Sequence, residues 1–366
     1  MSVAPVRQAR RPRPVIVDVA LFLAERSGGI RTYLNEKSSY AAQSGAFEHH
    51  VVFPGRRERH EAGRHELRSM PYAASNGYRI PFGARALMDT LRRLSPDVVV
   101  LHDPFWRPAG VTREAHSLGA RVIAVHHASA ALNAAGLPGP APIYLPLLKR
   151  IYRHAYQDVD AVMSVVDPSP DSGRQAMIPL RFGLHHAFRP APAVRGRHLL
   201  YVGRLAADKR IGDLLEAITR INGARELVLI GAGPARRAIA ARAATLGLGS
   251  RVRFAPFVSD RDALARAYRE ASCVIDPGPF ETFGLVVLEA AASGARVVAC
   301  SSTPSAQVAA PLVETFRAKD PEDLALAIER SLGRPGDAAA AMALGDRLTW
   351  PRVFEAELAD LERVLG

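Results

Sequence analysis

Short apolar runs alternate with longer amphipathic stretches along most of this chain. In the first half, Val15 to Leu23, His50 to Phe53, Asp97 to Leu101, Arg121 to Val125 and Ala161 to Val166 read as strands. They are apolar almost throughout rather than at every second residue, as parallel strands covered on both faces need to be. Between them, the stretches from the Gly28-Gly29 turn to about Ser44, from Ala84 to Leu94 and near Thr112 to Leu118 carry helical spacing. The second half repeats the alternation. A strand at Leu199 leads through a loop into a helix ending near Ile218, strands follow at Leu227 and Arg251, and a helix covers Asp262 to Ala271. Strand, loop and helix then run from Cys273 to Gly294, followed by a strand over Arg296 to Cys300 and a last helix over Trp350 to Leu365. This regularity predicts an α/β chain of two doubly wound domains. Prolines at both ends of the stretch 178–192 place a linker near 188–197, separating domains 1–190 and 197–345 from a terminal helix at 350–366. The basic segment from Pro54 to about Gly83 carries no such run and reads as mobile.

The 366 residues suffice for two sizeable cores, and 48% hydrophobic with 23% charged residues is ordinary for a globular protein. No apolar run approaches the roughly 18 residues of a membrane span. Met1 to Pro14 is arginine-rich without an apolar signal core, which predicts a cytoplasmic protein with a disordered basic leader. Cys273 and Cys300 lie in apolar runs and read as buried hydrophobes. The net charge of +12 calls for a polyanionic partner. No nucleic-acid-binding signature accompanies it, which leaves an anionic membrane leaflet, a sugar nucleotide's diphosphate, or compositional habit. In the stretch 137–156, the proline-rich first half is expected to be irregular. The second half is a helix with Leu147, Leu148, Ile151 and Tyr152 against Lys149, Arg150 and Arg153, suited to anionic lipid or to core packing with a basic outer face.

The densest chemistry lies between Asp276 and Gly294. Glu281 falls on the loop after a strand, Glu289 falls inside the next helix, and the helix begins at Phe283-Gly284-Leu285. A helix N-terminus with unpaired N–H groups is a site for a diphosphate. Arg204 and Lys209, five apart on another strand-to-helix loop, can neutralise a departing diphosphate. Gly231 and Gly233 form a glycine turn that lacks the third glycine and the acid of a dinucleotide fingerprint. His102, His126 and His127 stand at carboxyl ends of predicted strands, where open parallel sheets bind ligands. Asp158 and Asp160 imitate a metal-binding Asp-x-Asp pair but precede a strand instead of following one, and we read no metal site there.

Glu281-x-Phe283-Gly284-x-x-x-x-Glu289, with Gly203-Arg204-Leu205-x-x-x-Lys209 and Gly28-Gly29-x-x-x-Tyr33, resembles the retaining GT-B glycosyltransferases of family 4. The likeness covers nearly the whole chain and is strongest from 199 to 300. It implies two Rossmann-like domains facing a deep cleft, with the C-terminal helix crossing back to the N-terminal domain. It also implies transfer of a hexosyl unit from a nucleotide sugar without an obligatory metal or other cofactor. By the resemblance, Glu281 and His126 touch the transferred sugar, with His127 as the competing register and His102 near the acceptor. Arg204, Lys209, Gly28, Gly29 and the amides of Phe283, Gly284 and Leu285 would hold the diphosphate. Glu289 would bind the ribose hydroxyls, while the Gly231 turn, Phe257 and Val258 complete the donor site around the base. Pro277-Gly278-Pro279-Phe280-Glu281-Thr282-Phe283-Gly284 and Gly28-Gly29-Ile30-Arg31-Thr32-Tyr33 are similar to mannosyltransferases acting on phosphatidylinositol mannosides. That suggests GDP-mannose and a lipid or glycan acceptor at the inner membrane face, a UDP-sugar enzyme of polysaccharide or glycolipid synthesis being the alternative. A catalytically silent nucleotide-sugar-binding protein is the reading from another class, and no nucleic acid partner is expected. Two stretches depart from the family pattern: His185-His186, where Pro-Asn-Gly-Val-Asp is usual, and the loop Ser301 to Val308.

Overall fold

A computed structural model describes the chain except residues 1–11, 22, 24–28, 72–78, 104, 107, 128, 129, 131–133, 135–140, 166–174, 195, 224, 280–282 and 366. It divides into two compact units, one of residues 1–181 with 353–366 and one of residues 182–352. The proline-rich stretch 188–197 therefore lies inside the second unit. Leu184 N–H donates to Leu348 O there at 2.6 Å, and the buried Phe188 ring lies 6.0 Å from that of Tyr268.

The first unit is built on a nine-stranded sheet in the order β3-β4-β2-β1-β6-β7-β8-β9, with β5 paired to β4. Its strands are β1 Val15–Val19, β2 Glu48–Gly55, β3 Arg59–Glu61, β4 Arg64–Pro71, β5 Arg79–Pro81, β6 Val98–Leu101, β7 Arg121–His126, β8 Ala161–Ser164 and β9 Ala176–Pro179. All neighbours are parallel except at the β3–β4 and β4–β5 pairs. The chain steps outward from β1 through β2, then returns to add β6 on the other side of β1. The winding reverses at β1/β6, and in open α/β sheets ligands bind beyond the carboxyl ends of strands at such a point. β1, β6 and β8 are buried at every residue, so their apolar runs were readable.

The basic segment after Pro54 is not a mobile stretch throughout: it carries β3, β4 and β5. In β4 the inward positions are His65, Leu67 and Ser69, so polar residues occupy places where alternation should show hydrophobes. The proline-rich first half of 137–156 is also corrected, because the helix Ala141–Tyr156 takes in Pro142 and Pro146. Pro142 sits in the first turn, where an N–H has no partner to lose, and Pro146 removes one bond. Leu148, Tyr152, Ala155 and Tyr156 of that helix pack into the core.

The second unit has a six-stranded parallel sheet in the order β12-β11-β10-β13-β14-β15. Its strands are β10 Leu199–Val202, β11 Leu227–Ile230, β12 Val252–Ala255, β13 Cys273–Asp276, β14 Val297–Cys300 and β15 Val313–Phe316. Here the winding reverses between β10 and β13. The two loops leaving those strands hold Arg204 and the stretch before Gly284. Apolar clusters cover both faces, and Cys273 and Cys300 are buried thiols within the sheet. Among the described residues, no helix is long and apolar enough to cross a membrane.

Candidate active site

In the second unit, backbone packing builds the strand ends. A Cβ on Gly231, whose φ is +142°, would lie 2.0 Å from the Gly203 carbonyl oxygen, and one on Gly233 would lie 2.2 Å from that of Leu205. The loops after β10 and β11 thus touch main chain to main chain, tied by Gly203 N–H to Ile230 O at 3.0 Å and Leu205 N–H to Ala232 O at 2.9 Å. Gly231 is accounted for by this contact before any ligand is considered. Arg204, exposed at 49%, donates from Nη2 to both oxygens of Asp208 at 2.9 and 3.1 Å. Lys209 ends the short 3-10 turn Ala207–Lys209. Phe257 is 74% exposed, and Val258 beside it is half-buried.

Beyond β13, Glu281 lies outside the described residues, as do Phe280 and Thr282. The flanking loop is held by hydroxyls from the loop after β14: Ser302 donates to Pro279 O at 2.9 Å and Thr303 to Gly278 O at 3.3 Å. That is what the departing Ser301 to Val308 stretch does here, and the run Ser301-Ser302-Thr303 was its only signal. Phe283 is buried against Phe182, ring centroids 3.6 Å apart. Gly284 has φ +58° and caps the helix Leu285–Ala292. A Cβ on Gly284 would stand 2.1 Å from Ser305 Oγ, so any other residue would have to hold a left-handed backbone and displace that hydroxyl.

Glu289 is buried on that helix, where Tyr268 O–H donates to it at 2.9 Å and Arg261 Nη1 lies 3.5 Å away. Burial pushes its carboxyl up to about 7, with Arg261 and the Tyr268 bond only partly opposing. The same carboxylate and burial hold the Tyr268 phenol well above its ordinary value. Neither partner was evident from the sequence, since Arg261 and Tyr268 sit on the separate helix Arg261–Glu270.

In the first unit, Gly28 lies outside the described residues, and Gly29 opens the helix Gly29–Ser44. Successive residues at the end of β7 turn their rings to different neighbours. His126 Nδ1 is 3.3 Å from Tyr156 O–H, and its ring meets Tyr152 edge-on at 5.4 Å. His127 Nε2 is 2.9 Å from His102 Nδ1, and the two rings stack 5.1 Å apart. His102 Nε2 lies 2.6 Å from Asp18 Oδ1.

Asp18, next to last in β1, is fully buried and also receives His49 Nε2 at 2.7 Å and Lys37 Nζ at 3.0 Å. Lys37, itself buried, bridges to Glu357 at 2.9 Å, and Glu357 takes the Tyr33 hydroxyl. Burial alone would raise the Asp18 carboxyl, but Lys37 and the hydrogen bonds from His102 and His49 hold it well below the usual range. Burial, with His102 and His126 nearby, depresses His127 well below the ordinary histidine value. Sequence reasoning found His102, His126 and His127 but not Asp18, Lys37, His49 or Glu357.

Among the described residues, no cluster of three or more His, Cys, Asp or Glu could hold a metal ion. Asp160 instead accepts the Val122 N–H at 2.8 Å and pairs with Arg121 and His116, bracing the start of β7.

Two doubly wound α/β units, each built on a largely parallel sheet, have the architecture of the GT-B glycosyltransferase fold. Solved structures agree at the level of fold. The apo lipopolysaccharide outer core galactosyltransferase superposes with a TM-score of 0.72 at 16% identity over 95% of this chain and 99% of that one. Sucrose-phosphate synthase from Thermosynechococcus elongatus gives 0.67 at 20% identity over 96% and 97%. The family model described as Glycosyltransferase Family 4 matches residues 27–169, and that of Glycosyl transferases group 1 matches residues 196–334. The chain belongs to the family 4 glycosyltransferases of the GT-B fold. It is 27% identical, over 94% of its length and 95% of the relative's, to a GDP-mannose-dependent alpha-(1-6)-phosphatidylinositol dimannoside mannosyltransferase of Mycobacterium tuberculosis.

Proposed function

We propose that this glycosyltransferase moves a mannosyl unit from GDP-mannose to a lipid-linked or glycan acceptor at the cytoplasmic membrane face, with retention at the anomeric carbon and no obligatory metal. The observation that carries the reading is the near full-length similarity to a GDP-mannose-dependent enzyme whose acceptor is a phosphatidylinositol mannoside. The chain's +12 charge suits an anionic donor and an anionic surface.

In the reaction, the bond from the anomeric carbon to the diphosphate oxygen breaks, and the acceptor hydroxyl forms its bond on the same face. The acceptor's proton passes to the departing phosphate oxygen, so no side chain need act as a covalent nucleophile. Arg204, Lys209 and the N–H groups of Phe283, Gly284 and Leu285 stabilise the leaving diphosphate, and Gly28 and Gly29 contribute backbone N–H groups. Glu281 and a strand-end histidine, His126 or His127, orient the sugar. Glu289 takes the ribose hydroxyls, and the Gly231 turn, Phe257 and Val258 flank the base.

A donor panel tests this. GDP and GDP-mannose at about a hundred times their dissociation constants should each stabilise the protein by about 2.7 kcal/mol, seen as a rise in Tm. A shift confined to UDP and its sugars would move the assignment to UDP-sugar-dependent polysaccharide or glycolipid synthesis. Stabilisation without turnover in the presence of membrane lipid extracts would favour a silent nucleotide-sugar binder. Arg204→Ala should lower turnover by about a hundredfold or more, as loss of a charge-stabilising donor does. Undiminished turnover would remove Arg204 from the mechanism.

A further inference from the structure

Exposed arginines on other helices of this chain carry acids of their own: Arg92 pairs with Glu114, Arg242 with Glu216, Arg330 with Glu314 and Arg363 with Asp360. The helix Ala141–Tyr156 has none to offer its cations, because residues 115–157 contain no Asp or Glu. Among the described residues, exposed Lys149, Arg150 and Arg153 form no ion pair, so their charge faces outward uncompensated. The inner side of the helix is already used, with Leu148, Tyr152 and Tyr156 in the core of the first unit. Two large apolar side chains are nevertheless left outside: Ile143 is 69% exposed and Leu147 59%. Four residues apart, they stand one turn from each other on a face that continues into Arg150 and His154. Core packing, one of the two uses the sequence allowed for this helix, explains its buried side and leaves the outer face without a role.

We propose that this outer face docks on an anionic lipid bilayer, with Ile143 and Leu147 entering the headgroup layer and Lys149, Arg150 and Arg153 meeting lipid phosphates. The proposal rests on the lipid-linked acceptor of the reading above and deepens it by naming where the protein meets the membrane. Charge and apolarity together select the occupant. A second copy would bring the same three cations against these, and a nucleic acid offers no apolar layer to Ile143 and Leu147. A bilayer supplies both, hydrocarbon beneath a sheet of phosphates, and an amphipathic helix with a basic face lies in that interface plane. The long stems of Lys and Arg keep their charges at phosphate level while the apolar pair goes deeper. Since the pair lies in the first half of the helix and the cations in the second, the first half sits lower in the membrane.

The test is co-sedimentation of the full chain with vesicles of phosphatidylcholine, alone or mixed with phosphatidylglycerol. Binding should appear with the anionic mixture and fall as salt is raised. Changing Lys149, Arg150 and Arg153 together to Gln should weaken partitioning by about a hundredfold. Ile143→Ser with Leu147→Ser should weaken it by about tenfold or more. All five side chains are exposed, so both variants should keep the wild-type Tm and its rise with nucleotide. No binding to the anionic vesicles, or binding that both variants retain, would overturn the proposal. Equal binding to phosphatidylcholine alone would overturn it too, since the cations would then contribute nothing. Self-association abolished by the Ile143→Ser and Leu147→Ser pair would make the face a contact between copies instead. Vesicle binding lost in both variants, in a protein with no turnover of any sugar nucleotide, would uphold the surface and fail the glycosyl-transfer reading.

Discussion

Two buried carboxylates, Asp18 in the first unit and Glu289 in the second, shift in opposite directions on folding. Asp18 stays well below the ordinary carboxylate range, while Glu289 is pushed up to about 7. Burial raises both. What differs is the company each keeps. Asp18 has a lysine buried with it, 3.0 Å away, plus two imidazole donors. Glu289 has a neutral phenol and an arginine that is 39% exposed at 3.5 Å, so water shares most of that guanidinium's field. The first unit fixes a permanent charge and uses it to orient rings. The second leaves its carboxyl near neutrality, where a ligand's hydroxyls could settle its protonation.

The largest way to break this contrast is Lys37→Met. Removing the lysine leaves Asp18 and Glu357 buried without their shared cation, a change expected to cost about 3–5 kcal/mol. Arg261→Ala, beside Glu289, should cost no more than about 1 kcal/mol because the pair is long and half in water. Urea midpoints measure both, and similar losses would mean the two carboxylates are held alike.

Next in size is the pH dependence of Glu289. A carboxyl raised on folding adds stability that is complete below its unfolded value and is lost as pH rises through the folded one. From 4.5 to about 7 that is 2.5 units, or about 3 kcal/mol in all. Glu289→Gln should therefore gain about 3 kcal/mol on wild type between pH 4 and pH 8. Asp18, depressed on folding, behaves oppositely: its contribution is complete above an unfolded value near 3.9 and fades only as pH falls through the lower folded one. Asp18→Asn should thus show its deficit already at pH 5, and no deficit there would contradict a charged Asp18; a change at higher pH would belong to His49, whose imidazole Asp18 supports.

These two sites also differed in how far the sequence disclosed them. Glu289 was legible because its motif is local: a glycine, a helix start and an acid within one strand-loop-helix. The helix Trp350–Leu365 was bounded correctly from pattern alone, and the start of the helix Leu285–Ala292 was too. The Asp18 cluster joins residues 19, 31 and 84 positions away, and Tyr33 reaches Glu357 across 324. No spacing rule spans such separations. Its only local sign was a lone polar residue inside the apolar run Val15-Ile16-Val17-Asp18-Val19, which alone does not name its partners. β4 escaped for a related reason, since His65 and Ser69 fill its inward positions.

Smaller again is Gly231→Ala, where a methyl would meet the Gly203 carbonyl at 2.0 Å in a backbone at φ +142°. A cost of about 1–3 kcal/mol is expected from strain of this kind. Gly223, at φ +85° with nothing within 4 Å of its built Cβ, should lose only about 1 kcal/mol as alanine. Equal losses would show that the two loops separate readily and that Gly231 is not held by packing.

The smallest expected effect on stability is the most informative about the donor site. Arg204 and Asp208 form a half-exposed pair four residues apart, so Asp208→Asn should change stability by less than about 0.5 kcal/mol. The pair uses only Nη2 of the guanidinium, which lets Asp208 aim the rest of the group without covering it. If Arg204 addresses the diphosphate in that pose, Asp208→Asn should raise donor KM a few-fold and leave kcat nearly unchanged. A fall in donor KM would mean instead that Asp208 competes with phosphate for Arg204. The second unit would then hold its donor-site cation masked by a carboxylate, much as the first holds Lys37 between Asp18 and Glu357.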